Sequence, residues 1–260
     1  MASQARPSGD VYRRPPRVAD TVADQLRERI LATPDGTLLP KHDELLTEFN
    51  VSLPSVREAL RILETEGLLT VVRGNTGGAV VRLPTAAKVA YTAALALQAR
   101  DVQLNDIAGA LQHLEPVCAR LAAGRDDRET AVLPVLRARN AASRAALDDA
   151  DTFVHTARQF HEDLVSVCGN ETMILFIGAL ESLWSAHVDT LARDTAELGP
   201  FAELGVRKRS LDEHMKLVDA IEWGDGDRAE QLARAHFRQP DRHVFMASAR
   251  TVQASLLRDQ

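Results

Sequence analysis

The sequence predicts a mainly α protein in two parts: three helices with a β-hairpin, then an all-α bundle of six or seven helices. Three observations predict it. Ala, Leu, Arg and Glu dominate a chain that is 45% hydrophobic and only 4% aromatic, a composition that favours helix. Long β-branched runs are scarce outside residues 69–83. At 260 residues the chain exceeds one average domain.

The elements follow in order. Residues 1–16, MASQARPSGDVYRRPP, lack the apolar core of a secretory signal and read as a disordered basic arm. Residues 18–33 place Val18, Val22, Leu26 and Ile30 four apart, the spacing of an amphipathic helix. Pro34-Asp35-Gly36 ends it. A second helix spans roughly 41–49 with Leu45, Leu46 and Phe49 inward, and Asn50 supplies a turn residue suited to a left-handed conformation. The third begins after Ser52, a good N-cap, with Pro54 in its first turn. Its buried stripe is Val56, Ala59, Leu60 and Leu63, and Gly67 stops it. The period then changes: 68–73 reads as a strand, 74–78 as a turn, 79–82 as the returning strand. This order is the layout of a winged helix-turn-helix over residues 17–84. Leu83-Pro84-Thr85 is a linker, and residues 85–260 form a second domain with helical patterning near 86–99, 103–125, 127–147, 150–168, 171–194, 201–223 and 226–250.

The totals exclude some classes. No stretch approaches 18 apolar residues, so a membrane span is not expected. Cys118 and Cys168 make no disulfide framework and no closely spaced metal pair, which points to a reducing cytoplasm. The net charge of −6 lies entirely beyond residue 84, since residues 1–84 carry eleven Lys/Arg and eleven Asp/Glu. Binding to DNA would therefore need the basic residues of this part gathered on one face.

The third helix offers such a face. Arg57 and Arg61 stand one turn apart, opposite Val56 and Leu60, while Ser52 and Ser55 sit at the N-terminus, where hydroxyls and amides can bind phosphate. Arg73 and Arg82 flank the hairpin, with Gly74 and Asn75 in its turn. The plainer reading is a solvated face made of Arg57, Glu58 and Glu64.

Leu39-Pro40, Glu44-Leu45, Val51-Ser52, Pro54-Ser55-Val56-Arg57-Glu58-Ala59-Leu60, Leu63-Glu64, Glu66-Gly67-Leu68 and Gly74 together form a long ordered motif set. In it the chain resembles the DNA-binding domain of GntR-type regulators. The resemblance implies that Ser52, Ser55 and Arg57 contact double-stranded operator DNA, with Gly74 at the wing tip. Two departures remove cations that many members carry: Leu53 follows the Val-Ser pair, and Asp43 stands in the second helix.

Beyond the linker, four helices each place one imidazole on an apolar stripe. His161 lies with Phe153, Ala157, Phe160 and Leu164, and His214 with Leu211, Met215, Val218 and Ile221. His236 lies with Ala229, Leu232, Ala233 and Phe237, and His187 with Leu180, Leu183, Trp184 and Leu191. A buried imidazole needs a partner, so inward histidines suggest either satisfied core residues or a site for metal or an anion. Trp184 and Trp223 read as core or pocket wall. His42, His113, His155 and His243 read as peripheral.

The segments ARQFHEDLVSVCGN and DEHMKLVDAIEWGDGDRAEQLARAHF are similar to the FCD subgroup of GntR regulators, whose helical domain binds small effectors. The resemblance implies a divalent metal, Zn²⁺ or Ni²⁺, held by His161, His214 and His236. The family's Asp ligand maps onto Ala157, so a carboxylate effector, water or His187 would fill that place, or the pocket would bind its effector without metal. The expected protein is a cytoplasmic homodimer and a repressor on a short pseudo-palindromic operator. It would sense an organic acid in a pocket that includes Ala157, His187 and Trp184. A metal-dependent hydrolase is the competing class, but Glu162 and Asp163 point away from the stripe and supply no general base. A constitutive DNA binder without ligand is a third.

Overall fold

In a computed structural model the described residues are 17–72, 78–194, 203–238 and 250–257, and the chain divides into two units at Pro84 and Thr85. The basic arm expected at 1–16 lies outside the described residues.

The first unit orders α1 (Val18–Leu31), α2 (His42–Phe49), α3 (Leu53–Thr65), β1 (Leu69–Val72) and β2 (Gly78–Val81). The fourfold spacing of α1 buries Val22, Leu26 and Ile30 with Leu45 of α2 and Val56, Ala59, Leu60 and Leu63 of α3. Val18, expected on that stripe, is exposed in the first turn, and Ala19 is buried instead. A forked Arg27–Glu66 pair, at 2.8 and 2.7 Å, ties α1 to the end of α3. Asn50 takes the left-handed conformation between α2 and α3, φ 51 and ψ 50. Ser52 holds the extended N-cap backbone of α3, but its hydroxyl meets the Ser55 hydroxyl at 3.0 Å instead of an amide. The hairpin pairs Leu69 with Val81 and Val72 with Gly78, antiparallel. Residues 36–39 lie along β2 through Leu39 N–H to the Ala79 carbonyl and Val81 N–H to the Thr37 carbonyl, both 2.8 Å.

The second unit orders α4 (Ala86–Gln98), α5 (Leu104–Ala123), α6 (Arg128–Ala131), α7 (Leu133–Ala145), α8 (Ala150–Ser166), α9 (Glu171–Asp194), α10 (Leu204–Glu222) and α11 (Gly226–Phe237). One expectation is corrected. The helix foreseen over 127–147 is two, broken at Val132 with φ −103 and ψ −57. Pro134 causes the break, because proline lacks an amide hydrogen and crowds a helical residue before it. The described residues thus hold eight helices here instead of six or seven. The last reading, 226–250, holds as far as Phe237, and residues 239–249 lie outside the described ones.

Two cores share α5. One packs α5 against α7, α8, α10 and α11 around Ala119, Leu136, Phe160, Leu164 and Ile221. The other packs α4, α5 and α9 around Ala94, Ile107, Leu111 and Leu183, and is closed by residues 250–257, which periodicity did not reveal. Leu104 N–H donates to the Arg250 carbonyl and Val252 N–H to the Val102 carbonyl, both 2.9 Å. Val252, Ala254 and Leu257 are then buried, the last two in a 3₁₀ turn, Ala254–Leu257. His187 secures this strap. Its Nδ1–H donates to the Leu183 carbonyl at 2.7 Å, so its Nε2 is free to accept Gln253 N–H at 2.8 Å.

Two outcomes follow from these contacts. Asn50→Val puts a β-branched side chain into left-handed backbone, and chemical denaturation of the full chain should register a loss of about 1–3 kcal/mol. Burial holds the His187 pKa below its ordinary 6.5. The unfolded chain therefore takes up a proton that the folded ring resists, and this ring's contribution is complete above pH 6.5 and shrinks as pH falls below it. Thermal melts should lose stability between about pH 7 and about pH 5 more steeply in the parent than in His187→Gln; parallel slopes would contradict the assignment.

Candidate functional site

In the second unit α8, α10 and α11 bring His161, His214 and His236 together. All three are buried, and their ligand nitrogens lie within 4.8 Å of one another. The Nε2 atoms of His214 and His236 are 2.9 Å apart, and those of His236 and His161 are 3.4 Å apart. Phe160, next to His161 on α8, stacks on the His214 ring at 4.1 Å and 9°. The apolar stripes read from the sequence are what aim these rings inward.

The outer nitrogens decide the chemistry. His161 Nδ1 lies 2.5 Å from a Glu115 carboxylate oxygen, and His236 Nδ1 lies 2.6 Å from one of Glu213. An ionised carboxylate only accepts, so each Nδ1 carries its proton outward. In the neutral rings, Nε2 of His161 and of His236 then present lone pairs to each other across 3.4 Å. Neither can donate to the other, whereas His214 Nε2, 2.9 Å from that of His236, is placed to donate to it, and a proton or a cation would also hold these nitrogens together. The donor set fits a cation: two borderline metal bonds of about 2.05 Å at a tetrahedral angle separate their nitrogens by about 3.3 Å. A carboxylate behind each imidazole is the usual support of such a ligand. Glu115 is also hydrogen-bonded to Glu181 of α9, whose carboxyl burial pushes well above the ordinary range, with the Glu115 charge adding to the shift.

From the sequence alone, Glu115 within LEPVCARLAA reads as a residue that secures helix contacts, and neither Glu213 nor Glu181 stands out. Glu115 gave a signal, since Leu111, Cys118, Ala119 and Ala122 set it on the buried face of α5. Glu213 gave none, because it lies beside His214 in sequence and only the fold sets it under His236.

The other expected residues are not among the three whose ligand atoms converge. Ala157, where the family Asp was expected, is buried among Ala146, Phe153, Val206 and Leu211. His187 has both ring nitrogens engaged by backbone and is not one of the converging three. Trp184 packs partly buried on the α4–α5–α9 core. Glu162 is held by Arg158 and Ser185, and Asp163 by Arg139 at 2.7 Å.

In the first unit α3 presents Arg57 and Arg61 on its exposed face, lining a groove with His42, Leu60, Glu64 and Val71. Arg61 is forked onto Glu58 at 2.9 and 2.6 Å. Glu64 accepts Val71 N–H at 2.9 Å and so fixes the start of the hairpin against α3. Ser52 and Ser55 stand at the helix N-terminus. Arg73, Gly74 and Asn75 lie outside the described residues.

Comparison with known proteins gives this geometry a family. Residues 106–239, over half the chain, match the FCD domain, and residues 18–80 match "Bacterial regulatory proteins, gntR family". A Salmonella schwarzengrund protein named HTH-type transcriptional repressor NanR is 29% identical over 231 residues, covering 85% of this chain and 81% of that protein. The Salmonella newport protein of the same name is likewise 29% identical, with 82% of its length covered. A Streptococcus agalactiae GntR structure shares the fold at a TM-score of 0.67 and 21% identity, over 86% of this chain and 99% of that one. No helix among the described residues is long and apolar enough to cross a membrane. The chain belongs to the FCD-containing gntR family of bacterial regulatory proteins, and it is a DNA-binding transcription regulator, not an enzyme.

Proposed function

We propose that this regulator is a cytoplasmic, homodimeric repressor that lets go of its operator when an organic acid enters the helical unit at the three-histidine centre. The observation that carries the sensing half is the outward protonation imposed by Glu115 and Glu213, which turns imidazole lone pairs toward one point. A divalent cation such as Zn²⁺ or Ni²⁺ suits that point, and when bound it would supply a positive pole for a carboxylate. Glu115 and Glu213 would hold the rings in the ligating tautomer. Phe160 fixes the plane of His214 and keeps water from one side of it. The Ala157 methyl leaves the family's fourth ligand to the effector itself.

The DNA-binding half rests on α3. Arg57, Arg61, Ser52 and Ser55 would meet phosphates and base edges in the major groove, with Arg73, Gly74 and Asn75 of the wing beside the backbone. Two copies would read a short pseudo-palindrome. Repression is the role named for the Salmonella relatives. The effector would shift the balance between two placements of the DNA-binding units, which requires unequal affinity for them.

A second reading is favoured by one observation, Ala157 in place of an anionic ligand. In it the pocket works without metal, and His161 and His236 share a proton across their Nε2 atoms.

Footprinting and titration test both halves. Arg57→Ala should weaken operator binding by at least about tenfold and lower the salt slope by about one; Arg61→Ala should do less, because Glu58 already holds that guanidinium. Protection equal to the parent in both variants would overturn the DNA-binding assignment. In competition with a chelator, Glu115→Gln and Glu213→Gln should each weaken Zn²⁺ binding by roughly 10–100-fold. A parent chain that takes up no metal at all would leave the metal-free reading.

A further inference from the structure

Two cysteines far apart in the sequence meet in the second unit, outside the histidine centre. Cys118 lies on the buried face of α5, and Cys168 stands in the turn that joins α8 to α9. Both are buried free thiols of the α4–α5–α9 core. Their side chains are hydrogen-bonded to each other, so the two sulfurs are in contact.

The sulfurs are not equivalent. Cys168 comes just before the N-terminus of α9, where the Asn170 carbonyl accepts Ile174 N–H at 2.9 Å and the Asn170 side chain accepts Met173 N–H at 3.1 Å. The amides and dipole at such an end favour a thiolate. Arg125 approaches from the other side. Its guanidinium donates to the Val167 carbonyl at 3.1 Å and is forked onto Asp127. Gly169, at φ 81, leaves room for it, since a Cβ there would stand 3.2 Å from the Arg125 Nη1. The hydrogen bond from Cys118, helped by the Asn170 amide and the Arg125 charge, holds the Cys168 thiol below its ordinary range against the opposing effect of burial. The same contact, with burial, pushes the Cys118 thiol up. One sulfur is thus the nucleophile and the other keeps its proton, as in an attacking and a resolving thiol.

Position also permits a bond. A disulfide brings the sulfurs to about 2.05 Å, closer than two thiols in hydrogen-bond contact. Cys168 stands beyond the last turn of α8 and before the left-handed Gly169, so a turn, not a helix, supplies the movement. The Arg125 side chain beside it is 26% exposed and marks the way in for a small oxidant.

We propose that Cys118 and Cys168 form a redox modification site, which hydroperoxides close to an intramolecular disulfide between α5 and the α8–α9 turn. The Cys168 thiolate attacks the peroxide and the O–O bond breaks. One oxygen stays on sulfur as a sulfenic acid; the other leaves as hydroxide or alkoxide and regains from solvent the proton that Cys168 gave up. The Cys118 sulfur then attacks the Cys168 sulfur, the S–S bond forms, the S–O bond breaks, and the hydroxyl leaves as water with the Cys118 proton. Two electrons pass from the thiol pair to one peroxide, and a dithiol reductant returns them. The bond joins the helix that carries Glu115 to the end of the helix that carries His161, pinning the two partners of that hydrogen bond.

The test is peptide mapping of the full folded chain after exposure to a few equivalents of hydrogen peroxide at about pH 7 and alkylation in denaturant. The monomer should lose both thiols and the mass of two hydrogens, yield one linked peptide pair, Cys118 with Cys168, and return to the dithiol with dithiothreitol. In Cys118→Ser a sulfenic acid probe such as dimedone should label Cys168. In Cys168→Ser the remaining Cys118 should lose its thiol at least about tenfold more slowly than Cys168 does in Cys118→Ser, the difference that one pKa unit makes in thiolate fraction. Should a serine variant fail to fold, the map of the parent chain decides. Two thiols that persist in the folded chain while the urea-unfolded chain is oxidised would overturn the proposal. So would oxidation that ends only in separate sulfinic acids or in disulfides between chains.

Discussion

The helical unit turns on where two protons sit. Glu115 and Glu213 occupy the outer nitrogens of His161 and His236, and a carboxylate that only accepts leaves those rings no choice of tautomer. Their inner nitrogens become lone pairs confined at 3.4 Å in a buried space. The His214 Nε2, 2.9 Å from that of His236, shares the same space. The bundle carries this centre because it is otherwise well packed: Phe160, Leu136, Leu164 and Ile221 close around it. Glu181 joins them by a hydrogen bond to Glu115, and burial pushes its carboxyl pKa well above the ordinary range, with the Glu115 charge adding to the shift. Stability is contributed by the apolar stripes, and the imidazoles take up part of it.

Much of this was legible in the sequence. The stripes of α8, α10 and α11 pointed three histidines inward, and the motif from Leu39 to Gly74 marked the helix that presents Arg57 and Arg61. Asn50 was readable as a left-handed residue because a side-chain amide tolerates that backbone better than most. What could not be read came from distance along the chain. Glu213 meets His236 only because α10 and α11 are antiparallel neighbours, and Glu181 reaches Glu115 only because α9 lies on α5. His187 shows the same limit. Its stripe is real and its ring is buried, yet periodicity cannot tell a ring that faces a pocket from one that holds a distant backbone amide. The break at Val132 could have been foreseen, since Pro134 stood in view inside the segment read as one helix.

The two units differ in how their polar groups are used. In the first, charges sit at the surface and lock helices together, as Arg27 does with Glu66, and Arg57 remains on an exposed face lining an open groove. Exposed pairs of this kind contribute little to stability and are readily exchanged for phosphates. In the second, polar groups are buried and convergent, so their energies are large and their geometry is fixed. That contrast suits a surface that trades water and ions quickly with DNA and, in the proposed reading, an interior that discriminates one small molecule from another.

The strap over α4 and α9 has a consequence for synthesis. The first unit has all its core residues by Val81, so it can close while the ribosome is still making the helices that follow. The core of the second draws on Val252, Ala254 and Leu257, more than 150 residues after Ala90 and Ala94 with which they pack. Until those last side chains emerge, α4 and α9 expose an apolar seam to solvent. A nascent chain paused before that point carries a finished DNA-binding unit beside a helical unit still exposed to chaperones and proteases.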